Sequence, residues 1–407
     1  MRKTNKANID RDAVRVLAPA GRALSRRDFL GLAAAATGVG LIGGRRGSSL
    51  FDLRPEVTTS QLEKAAQQSL KSAGHITKNL YIYTWGQYDN PTTFSAWQKG
   101  VNIPLHFGSY NSNEEMIAKL ELAKGTAGYD IVVPTGGYIP EMAAKKLLLP
   151  LDKSKIPNFA GLDPALLNFP WDPGNKYTAP KDFGTTGYIY DKSIITRKMS
   201  TWQDFVTAAA LPAVSGKVSV LDAPDDVLAI ALWTFGVSWN TLSTSKLRSA
   251  NSWLVKHLAP HINNFDSYPG GTGGLTDGTY VLSQAWNGDA RQAIEKDPKR
   301  FAWVVPYPKS EIWVDNWAIA AGAKDLDTAH AFIDYVLNPY VSANEMEYTG
   351  YNTAVKNIRN YLPKNLPASD LIFLTSQQEK RLESYIVNST YNLRTQLYDE
   401  FKAAAAV

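Results

Sequence analysis

Cysteine is absent from all 407 residues. That excludes disulfides, thiolate nucleophiles and thiolate metal sites, and it removes the acylated Cys that a bacterial lipoprotein needs. Histidine is scarce, at five residues, and none falls in an H-E-x-x-H or comparable metal spacing. His257 and His261 lie four apart, but Pro260 stands between them, which favours a solvated face over a metal pair. There is no G-x-S-x-G nucleophile elbow and no Walker A loop. The glycine-rich run GGTGGLTDG (270–278) lacks the Lys-Ser/Thr of a phosphate loop and reads as a flexible surface loop. Carboxylate pairs for glycoside hydrolysis are defined by spatial spacing, and nothing marks one out. The chain reads as a protein that is not an enzyme and carries no cofactor or metal.

Aromatic residues and charge are unevenly placed. Residues 1–77 contain neither Trp nor Tyr, so all 11 tryptophans and 20 tyrosines fall beyond them. The same segment holds 13 Lys and Arg against 6 Asp and Glu, which leaves 30 against 32 for residues 78–407. The formal net charge of +5 therefore belongs to the leader, and the body has no electrostatic basis for binding nucleic acid. Within the leader, ALSRRDFLGLAAAATGVGLIGG (23–44) sets Arg26 and Arg27 before an apolar run of about 16 residues. That run is shorter than the ~20 residues of a membrane-spanning helix. The stretch Ser25-Arg26-Arg27-Asp28-Phe29-Leu30 resembles a twin-arginine export signal, which implies the Tat export machinery as a partner and a periplasmic or extracellular location. No A-x-A cleavage site follows Gly44, so cleavage and a retained anchor both stay open. Residues 45–77 read as a linker with a short helix near 60–71.

From residue 79 short apolar runs alternate with helical segments. NLYIYTW, IPLHFGSY and YDIVVPT read as strands. PTTFSAWQKG reads as a helix opened by Pro91, SNEEMIAKLELAKG as a helix capped by Ser112, and TGGYIPEMAAKKLLL as a glycine turn leading into a helix. A second α/β region begins near GTTGYIYDKSII (184–195) and takes in GKVSVLDAP, DDVLAIALWTFG, TYVLSQAW and FAWVVPY. DTAHAFIDYVLNP reads as a helix capped by Asp327. This alternation predicts βαβ units and a parallel sheet.

Such sheets bind ligands beyond the carboxyl ends of their strands. Polar-aromatic clusters stand where those ends are expected: TWGQY (84–88), PTGGY (134–138), VLDAPDD (220–226) and AWNGD (285–289). EIWVDNWAI (311–319) adds a lone acid among indoles, with Trp313, Asp315 and Trp317 on one strand face by alternation. Indole faces and a carboxylate both attract an organic cation.

LYIYTWGQY, FGSYNSNEEMIAKL, GYDIVVPT, DKSKIPNFAGLDPALLN, QAWNGDA, IWVDNWAI and EYTGYNTA, taken in this order, resemble a bacterial extracellular solute-binding protein of the spermidine/putrescine-binding branch. The resemblance runs from about residue 79 to 360. It implies a two-lobed α/β fold of the periplasmic-binding-protein type II class, with discontinuous lobes and crossing hinge strands. Lobe one would take 78–184 and 314–360, and lobe two 185–313 and 361–407. The implied function is capture of a polyamine outside the membrane by a monomer that delivers it to the permease of an ATP-driven importer.

The resemblance also assigns a site. Trp85, Tyr88 and Tyr351 match cleft aromatics, Trp286 and Trp313 match the indoles that sandwich the polyamine chain, and Asp315 matches a carboxylate for one ammonium. Thr135 replaces a serine and keeps its hydroxyl. Gly137 stands where an aromatic is expected, so one wall is missing unless Tyr138 compensates. The other ammonium falls to an acid pair drawn from DAPDD, in which Asp226 aligns with the second acid and Asp222 is taken as the first. Trp317 falls at an ordinary apolar position and is expected to pack in the lobe. Other cationic metabolites in the same fold, a sensor acting through a membrane receptor, and a secreted hydrolase are the competing readings.

Overall fold

The computed structural model describes residues 57–405, apart from 77, 78, 87, 124–126, 271 and 272. The leader with Arg26 and Arg27 lies outside the described residues. Part of the stretch read as a linker does not: Thr59–Ser69 is a helix. Thr58 Oγ1 accepts the Gln61 N–H at 3.3 Å and Gln61 Oε1 accepts the Thr58 N–H at 2.8 Å. This reciprocal pair satisfies two N–H groups that a helix start leaves free. The helix buries Leu62, Ala65 and Ala66 in the main core, so these residues belong to the folded body.

The eleven strands form one connected sheet among the described residues. β1 (Leu80–Trp85) lies between β2 (Leu105–Tyr110) and β3 (Ile131–Val132), all parallel. After β4 (Leu148–Leu149) comes the long β5 (Thr178–Asp191). β6 (Val218–Val220) runs parallel to both β7 (Ile262–Phe265) and β8 (Leu282–Trp286). β9 (Phe301–Val304), β10 (Ser310–Ala320) and the short β11 (Leu382–Glu383) complete it. Two-residue β3 and three-residue β6 are much shorter than their apolar runs suggest.

β5 and β10 join the two halves of the sheet. They pair antiparallel from Glu311↔Thr186 to Ala318↔Thr178. Beyond that stretch β10 turns its far end to β3 and β4, while β5 gives its second half to β8 and β9. The register slips once, since Asp315 faces Asp182 but Asn316 faces Pro180. Lys181 is the extra residue of a β-bulge, which bends the strand and re-aims side chains.

The core divides along the same lines. Trp97, Trp317, Phe332 and Tyr335 centre a cluster built from helix Thr59–Ser69, β1, β3, the end of β10 and helix Leu326–Val336. Trp202, Trp233, Trp239 and Phe401 centre another, built from β6, β8 and the helices Trp202–Ala209, Pro224–Thr234, Thr244–His257 and Tyr391–Ala405. Leu362, Leu366 and Ile372 pack with the first cluster although they lie past residue 360.

Local signals differ in how they turned out. Ser112 caps helix Asn113–Leu122, its Oγ accepting the Glu115 N–H at 3.1 Å. Asp327 is not a cap; Asp325 holds that position, and Asp327 instead pairs with Lys155 and accepts the His75 N–H at 2.6 Å. The GGTGGLTDG run is not simply a surface loop. Gly274–Asp277 is a short helix, and Gly270 packs so closely that a Cβ would sit 2.1 Å from the Asp289 carbonyl oxygen.

Candidate ligand cleft

The carboxyl ends of β1, β6 and β8, the segment after β3, and the middle of β10 surround a cavity of about 410 Å³. That is within the range of small-molecule sites. Trp85, Tyr88, Thr135, Asp222, Asp226, Trp286, Trp313, Asp315 and Tyr351 all line it. The structure thus brings together the residues that the resemblance assigns to the site, from segments more than 250 positions apart.

Asp315 is buried at 6 % exposure in the middle of β10. Thr135 Oγ1 donates to its Oδ1 at 2.7 Å and the Tyr88 hydroxyl donates to its Oδ2 at 2.9 Å. The same tyrosine hydroxyl also lies against Asp182, whose other oxygen accepts from Lys181 Nζ at 2.8 Å. Burial, and then the charge of Asp182, push the Asp315 carboxyl up to about 7. Lys181 sits 3.8 Å over the Tyr88 ring and 3.3 Å from Asp89, so its charge is spent behind the cleft floor.

The aromatic walls come from different strands. The edge of Tyr351 meets the Trp313 ring at 4.6 Å and 83°, and Tyr351 also tilts against Tyr88 at 5.9 Å. Trp286 meets Tyr268 at 6.4 Å and 68°. Tyr268 is a cleft aromatic that the sequence reading missed, because it lies in a segment with no strand or helix pattern. Trp317 does not join the wall. It is 2 % exposed and packs edge-on against Phe332 at 5.7 Å.

Two expectations change. Asp222 lines the cleft, but its side chain is half exposed and its Oδ1 already accepts from Tyr398 at 2.7 Å and Lys402 at 2.8 Å. Its charge is neutralised by the last helix, whose docking the local sequence does not reveal, so it is not the free partner of Asp226. Asp225 is likewise engaged, by Arg394 at 3.2 Å, although burial still pushes its carboxyl up to about 7. The wall expected at Gly137 is made of backbone: a Cβ there would lie 2.4 Å from the Tyr385 carbonyl oxygen. Tyr138 lines the cleft beside it, with its hydroxyl donating to Glu114 at 2.5 Å next to that of Tyr391 at 2.6 Å.

Two acids escaped the sequence reading. Glu311, two residues before Trp313 on β10, is 7 % exposed and lines the cleft beside Asp226. The signal was the i, i+2, i+4 alternation of Glu311, Trp313 and Asp315. Asp289, in the first turn of helix Asn287–Lys296, is buried and raised to about 7 by burial and by Asp266. Burial and then Asp226 hold the Glu311 carboxyl well above its ordinary range, and burial raises Asp226. A cleft lined by buried carboxyls and π faces stabilises an organic cation by charge-assisted hydrogen bonds of about 1.5–3 kcal/mol each and cation–π contacts of up to ~2 kcal/mol.

A two-lobed α/β fold with a cleft at its crossing strands defines a solute-binding protein. The chain belongs to the bacterial extracellular solute-binding protein family, whose pattern it matches over residues 47–370. It is 30% identical over 356 residues to a spermidine/putrescine-binding periplasmic protein of Haemophilus influenzae, an alignment covering 86% of this chain and 95% of the other. With a spermidine/putrescine-binding periplasmic protein of Escherichia coli the identity is 30% over 337 residues, covering 82% and 94%. A spermidine/putrescine transporter substrate-binding protein from Streptococcus pneumoniae superposes with a TM-score of 0.68 at 28% identity, over 81% of this chain and all of that one.

Proposed function

We propose that the protein captures a polyamine of the putrescine/spermidine class outside the cytoplasmic membrane and delivers it to the permease of an ABC importer. The observation that carries this reading is the pairing of chemistry in one cleft. Asp315 stands at one place and Asp226 with Glu311 at another, none of them ion-paired among the described residues, and indole and phenol rings wall the space between. Methylene chains favour flat apolar walls, while each ammonium needs a carboxylate. Trp85, Tyr88, Thr135, Trp286, Trp313 and Tyr351 serve as walls and acceptors in this reading. The named ligands of the relatives support it. The lobes follow as 78–184 with 314–360 and 185–313 with 361–407, except that helix Thr59–Ser69 joins the first and Leu362, Leu366 and Ile372 pass to it from the second, because they share its core. Export through the Tat machinery and action as a monomer complete the proposal, from the Arg26-Arg27 motif and the absence of Cys.

The test is thermal melting of the protein with putrescine and with spermidine. Ligand at 100 times its Kd adds about 2.7 kcal/mol of stability, a shift of a few degrees. A shift with a different cationic metabolite and none with any polyamine overturns the cargo assignment.

A further inference from the structure

The geometry points to Glu311, not Asp222, as the second carboxylate of the ammonium station at Asp226, and to the pair giving up a shared proton when an ammonium enters. This rests on the polyamine reading above and sharpens which groups hold the ligand.

Thr186 on β5 carries the argument. Its Oγ1 lies 3.1 Å from Asp226 Oδ1 and in contact with Glu311 Oε2, so the two buried carboxyls crowd around one hydroxyl. A hydroxyl has one proton to donate, so it serves one carboxyl at a time. Two ionised carboxylates gathered around one hydroxyl repel, so a second proton is held between them on one or the other, in keeping with the raised carboxyls of both. In the empty cleft the pair therefore carries one negative charge and one shared proton.

Among the described residues no ion pair involves Glu311. Asp226 and Asp315 face it from the cleft side, and both are acidic. Asp225 lies next to Asp226 in the helix start, but Arg394 holds it. Tyr398, from the last helix, faces Asp226 and donates to Asp222, which Lys402 also neutralises. Among the described residues, the donors that reach the pair are the Thr186 hydroxyl, the backbone N–H of Asp226 and the shared proton, and none of them carries a positive charge. An alkylammonium has two or three N–H groups on one centre. It can replace the shared proton and donate to both carboxylates at once, converting a singly charged pair into a doubly charged one. The charges balance: one ammonium enters and one proton leaves to solvent.

Titration calorimetry of the full protein with spermidine at pH 7, in phosphate and in Tris, measures affinity and proton release together. Wild type is expected to release about one proton from this pair, seen as a difference in apparent heat between buffers. Glu311→Gln is expected to lose at least tenfold in affinity and most of that release. Asp226→Asn should do the same, and the double variant should lose little more than either, since the two act as one unit. Asp222→Asn should stay within threefold of wild type on both readouts. Melting of each variant reports folding, and Glu311→Gln should melt no lower than wild type because it removes crowded carboxyls. Glu311→Gln within threefold of wild type with unchanged release, or Asp222→Asn losing as much as Glu311→Gln, overturns the assignment while leaving polyamine capture standing. Wild type that binds no polyamine overturns both.

Discussion

Gly184 lies directly beneath the indole of Trp313. The two are register partners across β5 and β10, and a Cβ at 184 would sit 2.3 Å from Trp313 Cζ2. The cleft wall is flat there because the strand under it has no side chain. Gly184→Ala must lift the indole or bend the strand, and overpacking of this kind costs about 1–3 kcal/mol. We expect a lower melting temperature and at least a tenfold weaker affinity for putrescine by calorimetry. Unchanged affinity would remove Trp313 from the wall.

Asp315→Asn keeps the shape of the site and removes its charge. Thr135 and Tyr88 retain an acceptor, but an ammonium would face a neutral group in a closed cleft. At least a tenfold loss of polyamine affinity is expected. The empty variant should be more stable than the empty wild type at pH 8, where Asp315 is ionised and buried. Urea titration checks the second effect.

The same carboxyl sets a pH dependence. With its folded pKa at about 7 and an unfolded value near 4, empty Asp315 keeps its proton in the folded state between those limits and has lost it in the unfolded chain. Its contribution to stability therefore falls as pH rises from about 4 to 7. A bound ammonium lowers the pKa and removes that loss, so the melting shift given by putrescine should grow from pH 5.5 to pH 8. His330 acts in the opposite sense, since burial holds its ring below the ordinary range. The measurement is accordingly the difference between wild type and Asp315→Asn; equal shifts at both pH values in wild type would contradict it.

Lys181 tests the floor behind the site. It pairs with Asp182 and Asp89 with almost no exposure, and removing one partner of a buried pair costs about 3–5 kcal/mol. Lys181→Met is expected to lower the unfolding free energy obtained from urea titration by that amount. Lys181→Met combined with Asp182→Asn should recover part of it, because one orphaned carboxylate is gone.

Leu62 tests the helix that precedes the body. Its side chain is fully buried, so Leu62→Ala should cost about 2–5 kcal/mol. A loss below 0.5 kcal/mol, the size of an ordinary surface change, would show that the helix is dispensable to the core.

Much of this was legible without coordinates. Alternation of apolar runs placed β1, β2 and β8, Ser112 announced its helix, and motif order brought Trp85, Tyr88, Trp286, Trp313, Asp315 and Tyr351 to one cleft. These signals are local, because a strand end or a cap is written in a few consecutive residues. The sequence by itself determined the alternation of strands and helices, the aromatic and acidic inventory, and the basic leader set apart from a near-neutral body. Only the tertiary structure decided which acids remain unpaired. Lys402 and Arg394, on a helix more than 160 residues away, neutralise Asp222 and Asp225, while Glu311 and Asp226 converge on the Thr186 hydroxyl of β5. The bulge at Lys181 on β5 falls opposite the stretch of β10 between Trp313, which lines the cleft, and Trp317, which packs in the core. Pairing of charges and the aim of a side chain depend on distances in space, and in a fold whose halves exchange strands those distances bear no relation to separation along the chain.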